Sequence, residues 1–386
     1  MLTHRYDSRT FLLESTGPVQ DFLLDRYRLT DEFRHAYGHY MLSTPDNKNI
    51  VAKAIDALRK AKNIDAVNDI TLYESLLEDM LYTQYVLGFR YWEYFAYGFE
   101  HMPIEYRLKF MSEKARHKYT KVFNPDKAKN IEFSDKTIAY PMLAAQFKRE
   151  AINIKGVQDW GRFKEFCGKH GKIIVKPATG SLGMGVEIID STKYSTIKLR
   201  KKFEKFINTK KGAICEELIR QDARFEIIHP ESVNSLRIAT YLTENSDAKV
   251  ICAYLRTGQG DSIVDNAGAG GIYAAIDISN GVVDTDAVDE RGNIYVTHPD
   301  TGFAFKNFEI PEWGGAKELV AAAARSVPHI RLIGWDVALS EDKGWQLIEG
   351  NCQPQINVLQ TATKKGMRED LERITEWDKN RKLAYK

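Results

Sequence analysis

"VKPATGSLGMGVEIID", residues 175–190, sets three glycines, Gly180, Gly183 and Gly185, between two apolar runs of strand character, with Lys176 just ahead of them. Glycine lets backbone N–H groups approach an anion closely, so such a loop is a candidate phosphate cradle. It fits neither of two common templates. A Walker loop needs Lys-Ser/Thr after its last glycine, and here Gly185 is followed by Val186. The dinucleotide fingerprint opens a helix, whereas this loop runs G-x-x-G-x-G into another strand-like run. Read alone, it is either a lid whose backbone from Ser181 to Gly185 wraps phosphates, or a plain hairpin turn. Lys176 shares a strand face with Ile174 in a run apolar enough for burial. A buried ammonium needs an anionic partner, which a bound phosphate would supply; a snorkelling lysine is the alternative.

A second stretch, "LIGWDVALSEDKGWQLIEGNCQPQ" (332–355), reads as a hairpin: two strand-like runs flank the turn sequence EDKG. A turn centred on Asp342 and Lys343 puts Asp336 opposite Glu349, with Asn351 two residues along on the same face. Facing carboxylates repel, and an all-oxygen set of this kind suits Mg²⁺ or Mn²⁺. The plain alternative is a hydrated hairpin, and a loop of odd length would slip the register by one. Later strands add Arg237, Arg256 and Asn266. Arginines in sheet interiors pair with carboxylates or phosphates, either as structural ion pairs or where negative charge builds up during a reaction.

The rest of the chain bounds the reading. At 386 residues there is room for two or three domains. A net charge of +2 gives no reason to expect a nucleic-acid partner, and the basic run Lys198–Lys205 reads as one solvated helix face. The start, "MLTHRYDSRT", lacks a signal-peptide pattern, and no run of apolar residues is long enough to span a membrane. Cys167, Cys215, Cys252 and Cys352 form no C-x-x-C pair, which suits reduced, buried thiols in a cytoplasmic protein.

The first 125 or so residues carry helical periodicity, including the aromatic segment 85–99, read as one helix buried on two sides, with a sugar-stacking or membrane-surface role as the alternative; it could also serve an interface of a homo-oligomer. Short helices follow at 134–147, with Ser134 in the N-cap position, and at 157–171, then a charged helix at about 192–210. The strands expected are KIIVKP, GVEIID, AICEELI, NSLRIATYLT, AKVICAYLRTG, GIYAAIDI and GVV. A helix at about 314–326 precedes the hairpin, and a polar helix at about 366–378 closes the chain. The fold class expected is α+β with a helical N-terminal domain. Its divisions are 1–130, a lid subdomain 131–212, a second subdomain 213–362 and a tail 363–386.

In this order, the pieces resemble the ATP-grasp superfamily, in which two α+β subdomains sandwich ATP. "SDKTIAYPMLAAQ" looks like its first nucleotide lysine, Lys136, and "IIVKPATGSLGMGV" like the second, Lys176, with the glycine lid. "ICEELI" resembles the hinge, which implies that Glu216, Glu217, Leu218 and Ile219 meet adenine and that Gln221 or Asp222 reaches the ribose. "GWDVALSEDKGWQLIEGN" resembles the magnesium set, Asp336, Glu349 and Asn351. "HPESVNSLRIATYLT", "LRTGQGDSIVDNAGAGGIYAAID" and "HPD" (298–300) are similar to the sugar-transfer-associated ATP-grasp group, linked to surface-polysaccharide synthesis. The resemblance covers about 130–360 and implies an ATP-dependent carboxylate–amine ligase working through an acyl phosphate. Phosphoryl transfer to a hydroxyl and a non-catalytic nucleotide-binding subunit are the alternatives. Lys176, Arg237 and Arg256 would serve catalysis. Arg256 with Asn266 also resembles a pair near the γ-phosphate in ribosomal-protein glutamate ligases. One departure stands out: D-alanine–D-alanine ligases carry an arginine two residues before the metal aspartate, where this chain has Gly334. Arg331, Arg237 or Arg256 would have to take its part.

Overall fold

The apolar runs flanking the glycine loop pair with each other. The computed structural model describes residues 27–62, 73–180, 183–208, 212–262, 265, 268 and 270–377. Ala151–Ile154 (β1), Lys172–Pro177 (β2), Glu187–Asp190 (β3) and Ala213–Glu217 (β4) form an antiparallel sheet in the order β1-β4-β2-β3. β1, only four residues long, carries too short a pattern to stand out in the sequence. β4 lies between β1 and β2, so it belongs to the lid sheet, whereas a boundary at 212/213 assigns it to the later strands. Helices Trp160–His170 and Thr196–Ile207 cover one face, burying Phe163, Cys167, Leu199 and Phe203 against Ile173, Val175, Ile189 and Cys215. The period-two alternation of strands then sends Ile174, Lys176, Ile214 and Glu216 to the other face. The basic run is not wholly solvated: Lys202 (2.8 Å) and Lys205 both bridge to Glu187 on β3.

The second sheet comprises Ser235–Leu242 (β5), Ala248–Thr257 (β6), Ile272–Ile276 (β7), Ala287–Val288 (β8), Ile294–Tyr295 (β9), Leu332–Ser340 (β10) and Gly344–Asn351 (β11). Its order is β11-β10-β5-β6-β7-β8-β9. GVV makes isolated bridges at Val282 and Val283 in place of a strand. Helix Trp313–Ser326 packs its Ala316, Val320 and Ala323 into the core with Leu236, Ile238, Leu255, Val337 and Leu347.

The β10–β11 hairpin reaches its expected pairing by an unexpected route. Ser340 pairs with Gly344, so the loop has three residues, and Gly344 closes it at φ +64°. This odd loop slips the register, leaving Val337 opposite Leu347. A β-bulge next to Asp336 then takes up Ile348 and restores Asp336 opposite Glu349 and Gly334 opposite Asn351. The two offsets cancel.

The chain divides into two compact units, Met1–Arg116 with Lys364–Glu369, and His117–Thr363 with Asp370–Lys386. Residues 117–130, which the sequence places with the helical domain, therefore belong to the second unit. Within it Ser134 ends helix Lys127–Ser134, and the N-cap of Lys136–Met142 is Asp135, whose carboxylate accepts from Thr137 N–H at 3.0 Å. Pro141 stops that helix from running on to 147, and a separate turn, Ala144–Phe147, follows. The closing helix is Arg368–Ile374.

The helical unit contains Asp31–Ser43, Lys48–Lys62, Glu74–Tyr82 and Tyr91–Tyr97 among its helices. Segment 85–99 is not one helix, because Gly88 (φ +83°) and Gly98 (φ +76°) adopt left-handed conformations that end it at both points. Phe89 and Phe99 are buried, but Tyr85 and Trp92 of the same segment are each 44% exposed. No helix among the described residues is long and apolar enough to cross a membrane, and all four cysteines are buried free thiols.

Glu93 gives this unit a pH signature. Burial pushes its carboxyl from 4.5 up to about 7, against the lowering effect of the Arg90 and Glu113 N–H donors at 2.6 and 2.7 Å. Between those two pH values the folded chain holds a proton that the unfolded chain has released. Stability therefore falls as pH rises through the window. The thermal midpoint should decline across it in the wild type, and Glu93→Gln should flatten that decline. An unchanged slope in the variant would mean that other groups set it.

Candidate active site

The cleft-facing side chains of the two sheets meet in a basic, partly enclosed site. Its larger part is about 900 Å³ and its smaller part about 140 Å³, and both are lined by Lys136, Gly180, Glu216, Ile348 and Glu349. The larger volume is within the usual range for a small-molecule pocket.

Lys176 is 7% exposed and donates to Glu216 at 2.9 Å. Arg149 donates to the same carboxylate through Nε, at 3.0 Å, and through Nη2. Burial alone would raise the Glu216 carboxyl, but Arg149 and Lys176 outweigh it and hold it low. Burial in turn lowers the Lys176 ammonium, with Glu216 opposing. Glu216, expected at the hinge, thus lines the cleft with its carboxylate paired to two cations. Glu217 is held by Lys343, at 2.7 and 2.8 Å, and it lines the smaller part with Leu218 and Ile219. Arg149 escaped the sequence reading because it stands just past a helix end, outside every motif quoted for the site.

Lys136 sits on the first turn of its helix and reaches across to Gly180 O at 3.0 Å and to Glu349 Oε2 at 3.7 Å. Its own N–H donates to Ala178 O at 2.8 Å, tying the helix start to the strand that feeds the glycine loop. Gly183 and Gly185 have φ of +70° and +74°, a conformation that favours glycine, and Val186 N–H closes the turn on Gly183 O at 3.1 Å. Ser181 lies outside the described residues.

Opposite, Asp336 is 3% exposed and takes two arginines. Arg237 donates through Nε to Oδ1 and through Nη2 to Oδ2 at 2.9 Å, and Arg256 Nη1 is 3.0 Å from Oδ2. Burial would raise the Asp336 carboxyl, yet the arginines hold it below the ordinary aspartate range. Arg256 also donates to Asp265 at 2.7 Å. Asp265 is one residue from Asn266 in the same motif, so its neighbourhood was flagged although the residue itself was not. Asn266 lies outside the described residues. The repulsion expected between Asp336 and Glu349 is thus countered by arginine on one side and Lys136 on the other.

The arginines differ in what they have left to give. Arg237 is bidentate to Asp336, whereas Arg256 Nε is buried with no hydrogen-bond partner among the described residues. Arg331 is spent elsewhere, donating to Leu242 O at 2.9 Å and stacking on Tyr241 at 4.8 Å, and it does not line the cleft. Two other expected residues also stay away. Gln221 accepts from Asn234 N–H at 2.6 Å, and Asp222 caps helix Ala223–Glu226 while pairing with Arg224 at 2.8 Å. Neither lines the cleft. Asn351 does, and its Oδ1 accepts from Gln353 N–H at 2.8 Å. Ile348, brought to the cleft by the bulge, was missed because an even alternation would turn it to the core.

The model of the family described as sugar-transfer associated ATP-grasp matches residues 114–376. The chain belongs to that family. This ATP-grasp protein matches no curated protein. Among solved structures it is similar to the ATP-grasp ligase PsnB complexed with minimal precursor, Mg and ADP, at 13% identity and a TM-score of 0.40, over 66% of this chain and 62% of that one. D-alanine–D-alanine ligase from Bacillus anthracis complexed with ATP is similar at 14% identity and a TM-score of 0.38, over 65% and 68%. N5-carboxyaminoimidazole synthase from Aspergillus clavatus is similar at 12% identity and a TM-score of 0.39, over 64% and 53%. The ATP-grasp chain thus spans less than two thirds of PsnB and of the synthase.

Proposed function

We propose that this ATP-grasp protein is an ATP-dependent carboxylate–amine ligase acting on a sugar-linked substrate. The observation that carries the reading is the convergence of Lys136, Lys176 and Arg256 with Asp336 and Glu349 on one cleft between two sheets, with Arg237 paired to Asp336. Ile174 and Ile348 offer apolar walls for a base, beside the backbone of Glu217 to Ile219. Lys136, Lys176 and the glycine loop would take the phosphates.

Six cationic side chains there (Lys136, Arg149, Lys176, Arg237, Arg256, and Lys343 on Glu217) face five anionic ones (Glu216, Glu217, Asp265, Asp336, Glu349), a surplus of one positive charge. That is too little for a triphosphate, so a divalent cation is needed. The donors fit one. A carboxylate offers about four lone-pair sites, and the arginines use three on Asp336. Asn351 Oδ1 has spent one of its two lone pairs on Gln353, and among the described residues Glu349 makes only its long contact with Lys136. This hard-oxygen set suits Mg²⁺ or Mn²⁺, which would offset charge on the phosphates when bound.

In the reaction, an oxygen of the substrate carboxylate attacks the γ-phosphorus and ADP leaves, giving an acyl phosphate. The amine nitrogen then attacks the acyl carbon, phosphate departs and the nitrogen loses a proton. Lys176 and Arg256 neutralise the anion, and Nε, unpartnered among the described residues, makes Arg256 the arginine with a hydrogen bond to give. The glycine loop would exclude water that otherwise hydrolyses the intermediate. An ADP-release screen of sugar acids against amino acids with Mg²⁺, with product masses, tests the reading. An amide product supports it. A phosphorylated acceptor without amide, or ATP binding with no turnover for any pair, overturns it.

A further inference from the structure

Far along the sequence from the cleft residues, the helical unit brings two histidines and two glutamates together. His35 and His39 stand one turn apart on Asp31–Ser43, and Glu74 and Glu78 one turn apart on Glu74–Tyr82. The helices meet closely at Gly38, where an added Cβ would lie 2.6 Å from Glu78 Cα and 2.8 Å from its carbonyl oxygen. Only glycine permits this crossing, and it sets the Glu78 carboxylate against both histidines. Oε2 is 3.2 Å from His35 Nδ1, and Oε1 is 3.6 Å from His39 Nδ1. Glu74 Oε1 approaches the same His39 nitrogen at 3.8 Å. One donor atom each from His39, Glu74 and Glu78 lies within 4.8 Å of the other two.

Glu78 is 8% exposed, and among the described residues its ion-pair partners are these two imidazoles alone. The nearby Arg34 is turned to Asp31 and Asp79, at 3.1 and 3.3 Å. A carboxylate so far from water needs positive charge. A metal ion held between these side chains supplies it.

We propose that His39, Glu74 and Glu78 bind Zn²⁺, with His35 positioning Glu78. Mixed imidazole and carboxylate donors suit zinc, and three protein ligands leave one position for water. Magnesium or calcium would call for an all-oxygen shell. His35 lies between Arg34 Nη2, 3.3 Å from its Nε2, and Glu78 at its Nδ1, so it fixes one carboxylate oxygen and leaves the other for the ion. The ion would clamp the two helices where Gly38 lets them touch. All four residues precede the segment matched by the family model, so the site is a property of this chain's N-terminal unit.

The test uses full-length, tag-free protein stripped with chelator and titrated with Zn²⁺ by calorimetry, with Co²⁺ absorption as a second readout. One Zn²⁺ per chain, a raised thermal midpoint and the visible bands of four-coordinate Co²⁺ are expected. His39→Ala should weaken binding by about tenfold or more with the circular dichroism unchanged, because its side chain is 68% exposed. His35→Ala should weaken it less. Glu349→Gln should bind Zn²⁺ as the wild type does; loss of the signal in that variant would place the ion in the cleft and overturn the proposal. Absence of saturable binding, or wild-type affinity in His39→Ala, would also overturn it.

Discussion

Glu349→Gln is expected to cut ATP-dependent ADP release by about 100-fold or more while leaving the fold intact. The fold should survive because little depends on this carboxylate structurally. Its side chain is 34% exposed, and its one charged contact among the described residues, Lys136 at 3.7 Å, is too long for a tight ion pair. Glutamine keeps the shape and a lone pair but removes a full negative charge. If a divalent cation is held there, affinity for it drops, and the charge that offsets the moving phosphoryl group drops with it. The loss should therefore ease as Mg²⁺ is raised, which a change in nucleotide contacts alone would not produce. Steady-state ADP release across a Mg²⁺ titration, with circular dichroism as the fold control, reads both features. Turnover equal to wild type at low Mg²⁺ would remove Glu349 from the metal set.

The glycine loop, Lys176 and the Asp336–Glu349 pair were legible because each is local: a loop between two paired strands, or two carboxylates facing each other across one hairpin. Even there the right pairing hid two compensating irregularities, an odd turn and a bulge, that no count from the turn would reveal. What sequence could not supply is which charges meet across the fold. Arg149 reaches Glu216 over 67 positions and Arg237 reaches Asp336 over 99. Neither partner choice is set by alternation or spacing. Glu216 illustrates the consequence: its segment was readable, but its burial between two cations was not. The same limit hid the breaks in segment 85–99, where tertiary packing let Gly88 and Gly98 override a helical period.

Asp336→Asn is expected to lower unfolding stability by about 3–5 kcal/mol, as removal of one partner from a buried ion pair does. That is a large share of a typical total of about 5–15 kcal/mol. Asp336 joins three neighbouring strands, since its carboxylate on β10 takes Arg237 from β5 and Arg256 from β6. Asparagine leaves both guanidinium groups buried, with one negative charge, Asp265, still near Arg256. The pH dependence gives the sign. The arginines hold the folded-state carboxyl below its unfolded value, so this stabilisation is complete above the ordinary aspartate range. It is lost as pH falls through the lower, folded value. The gap between wild type and variant should thus be widest near neutral pH and close in acid. Denaturant unfolding at neutral and acidic pH measures it, and a variant as stable as wild type at neutral pH would show that the arginines find other partners. The contrast with Glu349 follows from burial: both carboxylates belong to the same proposed metal set, yet loss of activity in Asp336→Asn would mix a chemical effect with a structural one. Only the half-exposed residue separates them.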